Sequence, residues 1–181
     1  MERLNVNPTR MMLTTLKKRL ATAQRGHKLL KDKRDELMKG FLELARENME
    51  LRQKVEGLLA DVYDSFSIAS AVMSREVMEE ALMFPKQGVE LSVGGKNVMS
   101  VDVPVFDFQT TASDAGDIYP YGYAGTSGEL GSAIRDLAEA FPIMLELAAK
   151  EKEAAMLAAE LEKTRRRVNA LEYVKIPQME M

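Results

Sequence analysis

The sequence predicts a mainly α-helical chain: a long antiparallel two-helix coiled coil with a short β-hairpin and a loop or short helix inserted in its middle. Three observations predict it. From Leu13 onward, apolar residues recur at alternating spacings of three and four for about sixty residues. Between Val89 and Val105 the period becomes a strict alternation. Near Gly128 a three-four pattern resumes and runs toward the end of the chain.

The first seam holds Leu13, Leu20, His27, Arg34, Phe41, Asn48, Val55, Val62 and Ala69, interleaved with Leu16, Ala23, Leu30, Leu37, Leu44, Leu51, Leu58, Ser65 and Val72. That is a heptad pattern, which asks for a partner helix rather than a globular surface. Asn7 and Pro8 form a start signal, a cap residue followed by a proline suited to the first turn. The next proline is Pro85. One helix over 9–83 is expected, about 110 Å if straight, with its seam about 90 Å long. Gly26, Gly40 and Gly57 lie within it. Each costs about 1 kcal/mol relative to alanine and would permit a neighbour to come close.

Val89, Leu91 and Val93, then Met99, Val101, Val103 and Val105, flank Gly94-Gly95-Lys96-Asn97. A β-hairpin over 88–106 with its turn at those glycines is predicted. Pro104 restricts the second strand to an edge or an end. Residues 107–128, with Asp, Thr, Ser, Gly and Tyr119, Tyr121 and Tyr123, read as a loop.

Helices are expected over 129–181, kinked near Pro142. Leu130, Ile134, Leu137, Ala138, Phe141, Met144, Leu145 and Ala148 make a broad apolar face. Leu147, Lys150, Ala154, Leu157, Leu161, Thr164, Val168 and Leu171 make a narrower seam, which Pro177 could interrupt. If position 76 lies opposite about 130, Met181 lies opposite about position 25. Leu13, Leu16 and Leu20 then have no partner within the chain, so residues 1–20 are expected to fray or to pair with another molecule. The whole, 1–181, reads as a single elongated domain.

Composition narrows the function. The chain has no cysteine, so no disulfide framework and no thiolate metal site. It has no apolar run long enough to span a membrane and no signal-peptide pattern at its start. Thirteen methionines suit a long, adaptable interface. The net charge of −3 hides an asymmetry. Residues 1–40 carry eleven Lys/Arg against four Asp/Glu, and residues 43–90 carry five against ten. The basic start favours an acidic neighbour.

No constellation points to catalysis. His27 is the only histidine and stands at a seam position, which favours a structural or interface role over a switch or a ligand. Arg34 and Asn48 either pin the register of the seam or mark where it faces solvent or another protein. Arg165, Arg166 and Arg167 point in different directions on a helix and have no aromatic platform beside them, so contact with acidic loops of a protein is favoured over nucleic acid. Gly94-Gly95-Lys96 lacks the spacing of a phosphate loop. Glu151, Glu153, Glu160 and Glu162 read as a solvated face. No nucleophile with a base and an orienting group is evident. No catalytic residue, cofactor or metal is therefore expected.

Three segments carry a resemblance that periodicity does not supply: Asn5-Val-Asn-Pro-Thr-Arg10, Arg25-Gly-His-Lys-Leu-Leu-Lys-Asp-Lys-Arg-Asp-Glu-Leu37, and Glu162-Lys-Thr-Arg-Arg-Arg-Val-Asn-Ala-Leu-Glu-Tyr173. In this order they resemble the D subunit of the V-type and A-type ATPases and ATP synthases. The resemblance implies a central rotor-stalk axle that couples ATP hydrolysis or synthesis in a catalytic hexamer to H⁺ or Na⁺ transport. It implies no active site in the chain itself and a peripheral place at the cytoplasmic face of a membrane. The implied partners are the catalytic and non-catalytic subunits of the hexamer, the F subunit of the stalk, and a socket subunit leading to the membrane ring. Carried over by segment, Arg10, Arg25, His27, Lys28, Lys31, Arg165, Arg166 and Arg167 are the expected contacts to the hexamer. Leu130, Ile134, Leu137 and Phe141 are expected on the side that meets the F subunit. Family members usually continue well past the Asn-Ala-Leu-Glu-Tyr motif, and this sequence stops eight residues after Tyr173, so a truncated C-terminal helix is expected. A generic coiled-coil adaptor remains the alternative that the bare seam allows.

Overall fold

A computed structural model describes residues 9–111, 118–122 and 125–180. The elements in order are α1 (Arg10–Val72), α2 (Arg75–Leu82), β1 (Val89–Val98), β2 (Val101–Thr110), α3 (Gly128–Ala170), a π-helical turn (Leu171–Lys175) and α4 (Ile176–Glu180). The chain is mainly helical, with an antiparallel two-stranded hairpin between its two long helices. It divides into two compact units, residues 1–44 with 154–181 and residues 45–153.

In the first unit the buried residues are Leu37, Leu44, Leu157, Thr164 and Val168, all of them seam positions. Thr9 caps α1: its Oγ1 accepts from the Met12 N–H at 3.3 Å and its carbonyl from Leu13. The expected cap, Asn7, and Pro8 lie outside the described residues. Residues 10–20 are helical, with Leu13 exposed and Met11 82% exposed. Further along the chain, Pro177 has no N–H to give the Tyr173 carbonyl, and its ring would crowd that oxygen. The helix widens just before it. Ile176 N–H bonds to Leu171 O, five residues back, which is the π pattern.

The second unit corrects three expectations. The helix predicted over 9–83 stops at Val72 and restarts at Arg75. Ser74 is extended (φ −70°, ψ 154°), and its Oγ accepts the Val77 N–H at 3.4 Å. A serine followed two residues on by Glu76 is a helix start in its own right, and the long seam concealed it. The break has a packing reason. Ala69 and Ala81 share one buried cluster with Leu130, flanked by Met73, Met78, Tyr121 and Ile134. On a straight helix those alanines would stand roughly 18 Å apart.

The hairpin turn lies at Met99–Ser100, not at Gly94–Gly95. Val98 pairs with Val101, and both turn residues have positive φ (51° and 68°), as a tight two-residue hairpin turn requires. Asn97 supports it, accepting the Ser100 N–H at 3.1 Å and donating to Asp102 at 2.6 Å. Gly94 and Gly95 sit within β1, and the strands reach Thr110 rather than ending at 106. Pro104 faces Gly95 at a pair that exchanges no ladder hydrogen bond, so its missing N–H costs the hairpin nothing.

The third correction concerns the apolar face of α3, a helix that continues through Pro142. Ser127 starts it: its Oγ accepts the Glu129 N–H, and its own N–H points to Met73 Sδ. The buried positions are Leu130, Ala133 and Ala140, with Leu137 44% exposed. The buried stripe is thus narrower than the broad face expected, and small residues line it. The pairing also differs by one heptad from the expected one, since Leu130 clusters with Ala69 rather than with position 76. Gly26, Gly40 and Gly57 admit no close neighbour, because a Cβ on any of them would meet nothing within 4 Å.

Candidate partner-binding surfaces

The first unit presents a basic surface. Arg10, Arg25, Lys28, Lys31, Arg165, Arg166 and Arg167 are all exposed. Helix geometry spreads the three arginines around α3 rather than along one stripe. Arg166 is tied to Glu162 one turn back, and Arg167 precedes the π-helical turn. His27 differs. Its side chain is only 21% exposed, and its Nε2 lies 3.4 Å from Glu172 on the π-helical turn. Close by, Gln24 Nε2 donates to Glu180 at 3.4 Å. Lys33 and Glu160 stand 3.8 Å apart. Arg34, at a seam position, turns to its own neighbour Asp35 with a bond of 2.6 Å, so it does not pin this seam through a carboxylate on α3.

The second unit presents an apolar surface. A groove of about 280 Å³ is lined by α2 and the segment after it, by Val89, Phe108 and Thr110 of the hairpin, and by Ile134, Leu137 and Phe141 of α3. Phe108 and Phe141 meet edge to face with ring centroids 6.4 Å apart, fixing the hairpin on the helix. Exposed apolar side chains of the same unit include Met83, Phe84 (76%) and Val93. Of the four residues expected on this surface, Ile134, Leu137 and Phe141 line the groove. Leu130 does not. It is 1% exposed and serves the internal cluster, because it follows directly on the Ser127 cap where α3 meets α1 and α2.

A polar belt crosses the helix pair within this unit. Lys150 Nζ reaches Glu47 at 2.8 Å and Glu146 at 3.6 Å. The hydrogen bond to Glu47 holds the Lys150 ammonium above its ordinary pKa of 10.5, against the cost of partial burial. Arg52 is paired with Glu151, which raises its pKa in the same way. Asn48 Nδ2 donates to the Lys150 carbonyl at 3.3 Å, while its Oδ1 is buried with no partner. The sequence signal for this belt was a pair of polar residues, Asn48 and Lys150, at seam positions of the two helices. Their mutual contact needed the register. Among the described residues there is no group of three or more His, Cys, Asp or Glu that could hold a metal ion, and no helix long and apolar enough to cross a membrane.

The family of ATP synthase D subunits matches residues 12–181. The V-type ATP synthase D subunit of Acetivibrio thermocellus is 62% identical over 176 residues, covering 97% of this chain and 79% of that protein. Its counterpart in Clostridioides difficile is 60% identical, covering 98% of this chain and 79% of that protein. That of Clostridium novyi is 56% identical, covering 99% and 84%. Identity at this level over nearly the whole sequence spans both seams and the hairpin between them. The chain belongs to the D-subunit family of V-type ATP synthases.

Proposed function

We propose that this chain is the axle of the central rotor stalk in a rotary ATPase or ATP synthase. It transmits rotation between the catalytic hexamer and the ion-translocating membrane ring, and it has no active site of its own. The coupled ion is H⁺ or Na⁺, and the complex lies peripherally at the cytoplasmic face. The observation that carries this reading is the family match over residues 12–181.

The surfaces support a division of labour. The basic first unit suits an acidic collar formed by the catalytic and non-catalytic subunits. Exposed cations on a long side-chain stem can exchange carboxylate partners as the axle turns, because no single pair is worth much in water. The apolar groove of the second unit suits a fixed grip by the F subunit, with the socket subunit beyond it. Leu137, Phe141 and Ile134 supply the apolar area that such a grip needs.

Reconstitution tests the whole reading. ATP hydrolysis by the purified hexamer should rise on addition of this chain with the F subunit. No change in hydrolysis when both are stoichiometrically bound would sink it. Leu137→Asp, with helicity preserved, should weaken capture of the F subunit about ten-fold or more.

A further inference from the structure

The two edges of the hairpin are not equivalent. The Thr111 N–H bonds to Gly88 O at 2.9 Å, and Val98 faces Val101 across the turn, so even-numbered residues of β1 hold the ladder bonds. The backbone groups of Val89, Leu91, Val93, Gly95 and Asn97 therefore point away from β2. On β2 the corresponding outer edge includes Pro104, which has no N–H, and the strand is partly buried. All of β1 up to Asn97 is exposed, and no proline interrupts it. Among the described residues, β1 pairs with β2 and with no other strand. A ten-residue open edge with exposed Val89, Leu91 and Val93 is a template for another strand.

We infer that the occupant of this edge is β1 of a second copy, antiparallel and centred on Val93. Two observations select it. In that register alone Glu90 faces Lys96 of the other copy, twice by symmetry, and neither residue has an ion pair among the described residues. The same register sets Leu91 opposite Gly95 and Ser92 opposite Gly94. A Cβ on Gly95 would meet nothing within 4 Å in this chain, and one on Gly94 only the Val105 carbonyl at 3.8 Å, so neither glycine is required by its own packing. Small residues there leave room for the partner's Leu91 and for close approach of its backbone. The outward-pointing groups coincide, Val93 with Val93, so the two ribbons join as one four-stranded sheet with the valines and leucines of both copies on one face. On the proposed reading an axle stands alone in its complex, so self-pairing is a state of the unassembled chain, and a neighbour seated on the hairpin excludes it.

The sequence has no cysteine, which makes the test direct. In the hydrogen-bonded pair across the two-fold axis the Val93 Cα atoms stand about 5.5 Å apart, within disulfide range. Val93→Cys should form a covalent dimer under mild oxidation, and Leu91→Cys, about four residues out of register with its own copy, should not. In sedimentation the unmodified chain should show a concentration-dependent dimer. Glu90→Lys should weaken it about ten-fold, and adding Lys96→Glu should restore it. Val93→Pro removes only an outward N–H and should abolish the dimer while leaving the hairpin amide shifts in place. A chain that stays monomeric at all concentrations overturns the inference. So does a dimer that Val93→Pro and Glu90→Lys both leave intact, since its contact must then lie elsewhere.

Discussion

The two units are built from the same pair of helices, yet their helix seams bury different residues. The first buries Leu37, Leu44, Leu157, Thr164 and Val168 at heptad positions, and its exposed side chains include many cations beside apolar ones such as Leu29 and Leu42. The second buries four helix alanines (Ala69, Ala81, Ala133, Ala140) beside Val55 and Leu130, with Val101 and Val103 in its hairpin, and exposes Tyr63, Val72, Phe84 and Val93. Large side chains in a seam give a self-sufficient coiled coil, whose outer face is free for charge. Alanines in a seam bring the helices close and leave the large apolar side chains outside, where they stabilise nothing within the chain and suit contact with another one. On the proposed reading, the difference separates the part of the chain that would grip a partner through apolar area from the part that would meet one through exchangeable charge.

Removing the one large residue from the alanine-rich cluster should break the second unit most severely. Leu130→Ala leaves a void where α1, α2 and α3 meet and should cost about 3 kcal/mol. Urea denaturation should show it, with the loss concentrated in hairpin and α2 amides by hydrogen exchange. An equal loss of protection around Leu37 would mean that the two units do not differ in their cores.

The polar belt sharpens the comparison by pH. The Lys150 pKa is raised in the folded state, so its contribution is fully present below the ordinary lysine value of 10.5 and is lost as pH rises through the folded value. Stability should therefore fall above about pH 10.5. Lys150→Met should remove about 1 kcal/mol at neutral pH and flatten that alkaline limb. A thermal-melt series from about pH 8 to about pH 11.5 on both proteins reads it.

Asn48 gives the opposite sign. Its buried Oδ1 has no partner, and only one of its amide hydrogens is used, on the Lys150 carbonyl. Asn48→Leu should raise stability by about 1 kcal/mol. Its cost should be a less unique register, seen as doubled amide resonances in 45–60. Higher stability without doubling would make Asn48 a simple defect rather than a pin.

Much of this architecture was legible in the residues because periodicity encodes burial directly. Leu37, Leu44, Val55, Ala69, Leu157, Thr164 and Val168 follow from spacing alone. What was not legible depended on competition between local signals and distant packing. The break at Ser74 needed Ala81 to find Ala69 and Leu130. Gly94–Gly95 carried a stronger turn signal than Met99–Ser100, and the pairing of Val98 with Val101 overrode it. On α3 a hydrophobicity count favoured Leu137 and Ala148, whereas close helix approach chose Ala133 and Ala140. The candidate surfaces followed the same rule. The exposed cations could be read from the sequence, but Leu130 could not be told from Leu137 without knowing which side of α3 meets α1.

The smallest expected effect tests whether the helices tolerate their glycines for a reason. Gly57 is exposed on α1, and a Cβ there would touch nothing within 4 Å. In an exposed helix interior alanine is better than glycine by about 1 kcal/mol, because glycine gives up more backbone freedom on folding. Gly57→Ala should therefore raise the urea midpoint at unchanged slope. If the chain acts as an axle, the same change tests a second quantity, the ease with which α1 bends. Coupled ATP hydrolysis that falls while stability rises would mean that Gly57 is kept for compliance. Unchanged hydrolysis would leave it as a mildly destabilising residue in a helix stable enough to carry it.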